Sequence, residues 1–189
     1  MQKLKVYVAG KVSPNSVFGR HDWRGGFCAK LAELSGLEIV NLDPTQSRGD
    51  FDLDENDAKL ILGRDCFMIN SADLVIVNLT DDISVGGSQE MLIAKYYCKP
   101  LVGIAPKGGK FNKTETEIRG KMFRDWVHPF VAVPCDVVVE DIEGAAEYIK
   151  SFSARAAELV KDISILDKAS AYYLEQHYKS DKFINEIEV

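Results

Sequence analysis

The 189-residue sequence lacks paired cysteines, long apolar runs and blocks of basic residues, and each absence removes a class of protein. Its four cysteines, Cys28, Cys66, Cys98 and Cys135, are scattered and form no CxxC pair. Three of them lie in apolar segments, so they read as reduced side chains behaving as small hydrophobes. The three histidines, His21, His128 and His177, stand far from any cysteine pair, which leaves no zinc-ligand spacing. No metal and no cofactor is expected. No segment approaches the roughly 18–20 consecutive apolar residues of a membrane helix. The first apolar stretch, Leu4–Ala9, is too short for the core of a secretory signal. These features predict a cytoplasmic protein without a membrane partner. The 23 basic residues are outnumbered by 29 acidic ones, for a net charge of −6, and no basic run offsets the total. That balance excludes a nucleic-acid polymer as partner. A small anion stays open, because it responds to the local field and not to the sum. Both the GxxxxGK[ST] phosphate loop and the GxGxxG dinucleotide fingerprint are missing.

What remains is a globular composition, 46% hydrophobic and 28% charged, which argues against disorder. Leu4–Ala9 ends at Gly10 and reads as a strand. After a polar loop, Phe27, Leu31 and Leu34 share one face of a helix over roughly Asp22–Ser35, with Gly36 as its stop. Leu37–Leu42 predicts a second strand, and Asp54–Ser71 a helix with Ala58, Ile61, Leu62, Cys66 and Ile69 at helical spacing. The continuous apolar runs Leu74–Leu79 and Pro100–Ala105 suit strands covered on both faces. Ser88–Cys98 and the charged Thr114–Trp126 are expected to be helical. Phe130–Val133 and Asp136–Val139 are candidates for the last strand. A long helix follows from Asp141 to about Leu159, and a helical, aromatic tail occupies Ile163–Ile187.

Strands alternating with helices predict an α/β, flavodoxin-like or Rossmann-like three-layer sandwich around a roughly five-stranded parallel sheet. The expected division is a domain over residues 1–160 and a C-terminal helical extension over 161–189. In such a sheet the ligand sits outside the carboxyl ends of the strands. That singles out the loops Gly10–Arg24, Asp43–Asp54, Leu79–Glu90 and Pro106–Lys113.

The most informative of them runs Asn78-Leu-Thr-Asp-Asp-Ile-Ser-Val-Gly-Gly-Ser-Gln-Glu90. Gly86 and Gly87 relieve a tight turn and let a ligand approach the backbone. Free amides at the helix start, with the hydroxyls of Ser84 and Ser88, form a seat for an anion. Glu90, placed in the first turn, reads on its own as a dipole partner or a cap. Asp65 faces either the strand ends or solvent, Asp73 reads as structural, and Trp23 as packing beneath a loop.

Four segments together resemble a known family: Leu4-Lys-Val-Tyr-Val-Ala-Gly10, Asp65-Cys-Phe-Met-Ile-Asn-Ser-Ala-Asp-Leu-Val-Ile-Val-Asn78, Ser84-Val-Gly-Gly-Ser-Gln-Glu90 and Ala94-Lys-Tyr-Tyr-Cys-Lys-Pro-Leu-Val102. They are similar to the nucleoside 2-deoxyribosyltransferase superfamily, which includes the 2'-deoxynucleoside 5'-phosphate N-hydrolases. The resemblance spans about residues 4–105. It implies that Glu90 is a nucleophile attacking the anomeric carbon of the sugar. It further implies that Asp65 places the base or a sugar hydroxyl and that Tyr7 orients the nucleophile. The covalent sugar–enzyme ester is then resolved by water or by a second base, in the manner of a retaining glycosidase. The transferases carry an acid six positions before the nucleophile, where this chain has Ser84. A serine there suits a 5'-phosphate, which a carboxylate would repel. Arg20, in Gly19-Arg-His-Asp22, resembles a hydrolase segment and would bond a phosphate; as a residue alone it reads equally as solvated. The implied binding set is Gly10, Arg20, Ser84, Gly86, Gly87 and Ser88, and the implied partners are a nucleoside or nucleotide and a second copy of the chain as homodimer or higher oligomer. Cleavage and exchange of the N-glycosidic bond stay equally open, as do the base and the sugar. The alternative is a non-catalytic nucleotide- or nucleotide-sugar-binding module on the same fold. A receiver domain is disfavoured, because the first strand ends Val8-Ala-Gly10 without an acid.

Overall fold

Alternation decides the first strand. In β1 (Lys3–Ala9), Val6 and Val8 point to one face and Tyr7 and Ala9 to the other, all four fully buried. The computed structural model describes residues 3–11, 23–49, 53–54, 56–152 and 160–187. Around β1 the chain builds a five-stranded parallel sheet from β2 (Glu38–Leu42), β3 (Leu74–Asn78), β4 (Leu101–Ile104) and β7 (Val137–Val139), in the order β2-β1-β3-β4-β7. Every residue of β3 and β4 is buried, as their unbroken apolar runs predict for strands covered on both sides.

Helices α1 (Trp23–Ser35) and α5 (Ile142–Phe152) cover one face, where Phe27 and Leu31 meet a core that includes Ala145 and Ile149. Helices α2 (Ala58–Ser71), α3 (Val85–Tyr96) and the short α4 (Pro129–Ala132) cover the other, burying Ile69, Met91, Ala94 and Val131. Helix α6 (Ile165–Gln176), a 3₁₀ turn at Tyr178–Ser180 and α7 (Lys182–Asn185) complete the chain. The expected α/β three-layer architecture with a C-terminal helical segment is therefore the observed one. Gly36 ends α1 at φ +72°, its N–H returning 2.9 Å to the Ala32 carbonyl. Among the described residues no helix is long and apolar enough to cross a membrane.

Three local expectations are corrected. Thr114–Trp126 is not a helix but most of an antiparallel hairpin, β5 (Asn112–Ile118) and β6 (Lys121–Val127). Its turn residues Arg119 and Gly120 both have positive φ, +51° and +76°, the geometry that matches the twist of a two-residue hairpin loop. Phe130–Val133 is not a strand, because Pro129 opens the short helix α4, leaving Val137–Val139 as the last strand. The helix after β3 begins at Val85 and not at Ser88, so Gly86 and Gly87 lie inside its first turn.

Candidate active site

The strand order places β1 between β2 and β3, so the chain winds outward from β1 in both directions. This opens a crevice at the carboxyl ends of β1 and β3. Three side chains converge below that edge. Tyr7 sits two residues before the end of β1 and points toward the α2–α3 side. Asp65 comes from α2 and Glu90 from α3.

The loop after β3 sets the position of Glu90. The Asn78 carboxamide oxygen accepts from the Thr80 N–H at 3.1 Å and from its hydroxyl, turning the chain. Ser84 then caps α3, its Oγ accepting from the Gly87 N–H at 3.0 Å. With the helix starting at Val85, Glu90 lies beyond its first turn, so neither the capping nor the dipole role expected for an isolated acid applies. Its carboxylate instead accepts a hydrogen bond from the Tyr7 hydroxyl, 3.0 Å from Oε1. Gly86 faces this group: a Cβ there would stand 3.7 Å from Glu90 Oε1 and 3.9 Å from Ser84 Oγ. A Cβ at Gly87 would press on Ile83 at 3.1 Å.

Burial governs the electrostatics. Glu90 is pushed up to about 7, first by desolvation and further by the nearby Asp65 charge, against the opposing effects of the Tyr7 hydrogen bond and the Arg24 guanidinium. Asp65 is also raised by burial, in spite of Arg64 and Arg24. The Tyr7 phenol is driven well above its usual range by burial and then by the Glu90 and Asp65 charges, so it remains a donor. Two neighbouring carboxyl groups thus both have raised affinity for protons, and one of them is bonded to a buried phenol.

The expected binding residues divide. Ser84, Gly86 and Gly87 stand at the start of α3 beside Glu90. Ser88 does not join them: its hydroxyl donates to the Val85 carbonyl at 2.8 Å, and its side opens with Met91 and Leu92 onto a separate apolar cleft of about 590 Å³. That cleft is closed by Phe111, Val131 and Ile165 from the β4 loop, α4 and α6. Gly10 closes β1 by allowing the Trp23 ring near: a Cβ would meet that ring at 3.1 Å and Asn78 at 3.3 Å. Trp23 is thus buried against the end of β1, while residues 12–22 of the loop expected above it lie outside the described residues. Asp73 accepts from the Lys5 N–H at 2.8 Å, a structural bond between the helix–strand boundary and β1. Arg20 lies outside the described residues. Among the described residues, no group of three or more His, Cys, Asp and Glu gathers as a metal site would require.

Arg24 is the residue that sequence reasoning missed. It is 1% exposed. Its Nε donates to the Val8 carbonyl at 2.8 Å and its Nη2 to the Gly10 carbonyl at 2.9 Å. The signal was its position: Arg24, Phe27, Cys28, Leu31 and Ser35 form one buried helical stripe, so the arginine occupies a core position.

No protein-family model and no curated protein sequence matches the chain. Solved structures do. A conserved protein from Enterococcus faecalis V583 is 17% identical with a TM-score of 0.57, over 79% of this chain and 99% of its own. A 2-deoxyribosyltransferase from the psychrotolerant bacterium Bacillus psychrosaccharolyticus is 14% identical with a TM-score of 0.50, over 84% of this chain and 97% of its own. These likenesses establish a shared fold along nearly the whole length of both neighbours.

Proposed function

We propose that this chain cleaves or exchanges the N-glycosidic bond of a nucleoside or its 5'-monophosphate, with Glu90 as nucleophile. The observation that carries the proposal is the 3.0 Å Tyr7–Glu90 hydrogen bond beside Asp65, beneath the carboxyl ends of β1 and β3. A purely binding module has no need of two partly buried carboxyl groups there. The sequence resemblance and the fold shared with a 2-deoxyribosyltransferase point the same way.

In this reading the ionised Glu90 attacks C1' and forms an ester. The C1'–N bond breaks, and the base leaves with the bonding pair and a proton delivered by Asp65. Tyr7 holds one carboxylate oxygen and so directs the other at the sugar. Water then attacks C1', the ester bond to Glu90 breaks with its electron pair returning to the carboxylate, and the water's proton passes to Asp65, which gives hydrolysis. A second base doing the same gives transfer. The capped start of α3, with Ser84, Gly86 and Gly87, is the seat for the substrate's 5' end. Residues 161–189 form an appendage, and the exposed Val85, Leu92 and Tyr96 of α3 and Phe67 of α2 form the face that a second copy covers.

The test is incubation with a panel of nucleosides and 5'-monophosphates, with and without added free base, read by chromatography. Base release that is lost in Glu90→Gln is the expected result. No release from any substrate, or release unaffected by Glu90→Gln, would overturn the reading.

A further inference from the structure

Arg24 has no role in the chemistry just described, yet it is the most deeply buried cation near it. A guanidinium at 1% exposure is costly unless its donors and its charge are both matched. Two donors are matched by the main-chain carbonyls of Val8 and Gly10, which bracket the last residue of β1. These are neutral partners: they fix the group in place and leave its charge unbalanced. The third terminus, Nη1, is buried and has no hydrogen-bond partner among the described residues. On its other side the guanidinium carbon lies 4.7 Å from the centre of the Trp23 ring, again a neutral partner.

Among the described residues the charge is met only at longer range, by groups on the other face of the sheet. Arg24 rises from α1, on one face of the sheet, and grips the end of β1. Tyr7, Asp65 and Glu90 approach that end from the other face. The titratable groups that feel the Arg24 charge are Tyr7 on β1, Asp65 on α2, Glu90 on α3 and, on its own helix, Cys28, whose thiol also feels Asp43. Arg64, the other cation near the cluster, acts on Asp65 and is itself held by the Pro44 and Gln46 carbonyls.

We infer that Arg24 is a positioning residue of the active site: a guanidinium locked onto the end of β1 as the fixed counter-charge that lets Glu90 ionise beside Asp65 while keeping Tyr7 in register beneath it. Hydrogen bonds to carbonyls suit this task better than a direct ion pair. A bound carboxylate would be neutralised and turned from the sugar, whereas a field from behind favours ionisation and leaves both oxygens free. Arginine fits because it stays charged when buried and its planar fork reaches two carbonyls at once.

The rate consequence rests on the glycosidic reading, whereas the charge itself does not, so the two are tested apart. The first measurement follows the Glu90 side-chain carboxyl carbon by NMR across pH 4–10 in the wild type, Arg24→Gln and Arg24→Lys, with Glu90→Gln to assign the signal. Arg24→Gln is expected to move the Glu90 titration upward by about one pH unit or more. Arg24→Lys keeps the charge and should stay close to the wild type even though it loses the fork. An unmoved titration in folded Arg24→Gln, or equal shifts in both variants, would overturn the inference and leave Arg24 a structural residue. The second measurement is the pH profile of base release. Arg24→Gln should shift its acid limb by the same amount and recover most of its kcat at high pH, with KM little changed. Absence of base release in the wild type would defeat the glycosidic reading alone, since the titration answers the charge question without it. Should Arg24→Gln fail to fold, Arg24→Met, which keeps an unbranched side chain in the core and removes the charge, provides the second route. It should move the Glu90 titration upward relative to Arg24→Lys, and equal titrations in the two would overturn the inference.

Discussion

Two charged clusters lie at opposite ends of the same sheet, one buried and one partly buried, and they are built on different principles. At the amino ends of β4 and β7, the fully buried Lys95 donates to Asp136 and to the Lys99 carbonyl at 2.8 Å. Asp136 also accepts from the Leu101 N–H at 2.6 Å and the Lys161 N–H at 2.7 Å. The Lys161 ammonium in turn donates to the Ala132, Val133 and Cys135 carbonyls at the end of α4. This cluster joins α3, α4, β4, β7 and the segment entering α6, and its charges have close partners. At the carboxyl ends of β1 and β3, two carboxyl groups share a neighbourhood, and among the described residues one buried arginine nitrogen has no partner and Glu90 holds a single side-chain bond. A saturated cluster gives up its reactivity for rigidity. An incompletely matched one keeps raised proton affinities that chemistry can use.

The comparison breaks most sharply at Glu90. Glu90→Gln should lower base release by at least about 1,000-fold at saturating substrate, measured by chromatography, without loss of fold. The same substitution should raise thermal stability above neutral pH. Glu90 is raised in the folded state from its ordinary 4.5 to about 7, so its favourable contribution is complete below about 4.5 and lost as pH rises through 7. The melting temperature of Glu90→Gln should therefore gain on the wild type between pH 4.5 and 7, then hold a lead of about 3–6 °C at higher pH. Calorimetry across that range checks it, and a lead that shrinks with rising pH would place Glu90 in a charge-stabilising site instead.

At the other end the expected result is inverted. Asp136→Ala leaves a buried ammonium unpaired and should cost about 3–5 kcal/mol in urea unfolding, with base release per folded molecule unchanged. Tyr7→Phe is intermediate. It removes one hydrogen bond to a charged group, worth about 1–3 kcal/mol, and should slow base release roughly ten- to hundred-fold while moving the acid limb of the pH profile upward. Ser84→Ala should be mildest in the fold, about 1 kcal/mol for a lost cap by denaturant unfolding, with a weaker preference for 5'-monophosphates as its kinetic sign.

Much of the sheet was legible because its strands are uninterrupted apolar runs, and β3 and β4 have no exposed residue to confuse the period. The hairpin was hidden by its charge. Residues 114–126 are rich in Lys, Arg, Glu and Asp and resemble a solvated helix, although Thr114-Glu-Thr-Glu-Ile118 alternates at period two and Arg119-Gly120 marks the turn. Both strands are exposed over most of their length, so no buried face imposes the usual apolar stripe. In the site, Tyr7, Asp65 and Glu90 were singled out by the family resemblance, and the structure brings them together, whereas Arg24 went unnoticed. Positive charge at a helix start suggests solvent, and only its register with Phe27 and Leu31 places it in the core.

Helix α3 carries a member of each cluster, Glu90 near its start and Lys95 near its end. The same helix therefore belongs both to the reacting end and to the end that holds the fold together. Inherited changes around Asp136 or Lys161 can thus deplete the folded protein while every residue that meets the substrate stays as it was. A search for lost activity among natural variants should begin with that distant cluster as well as with the crevice.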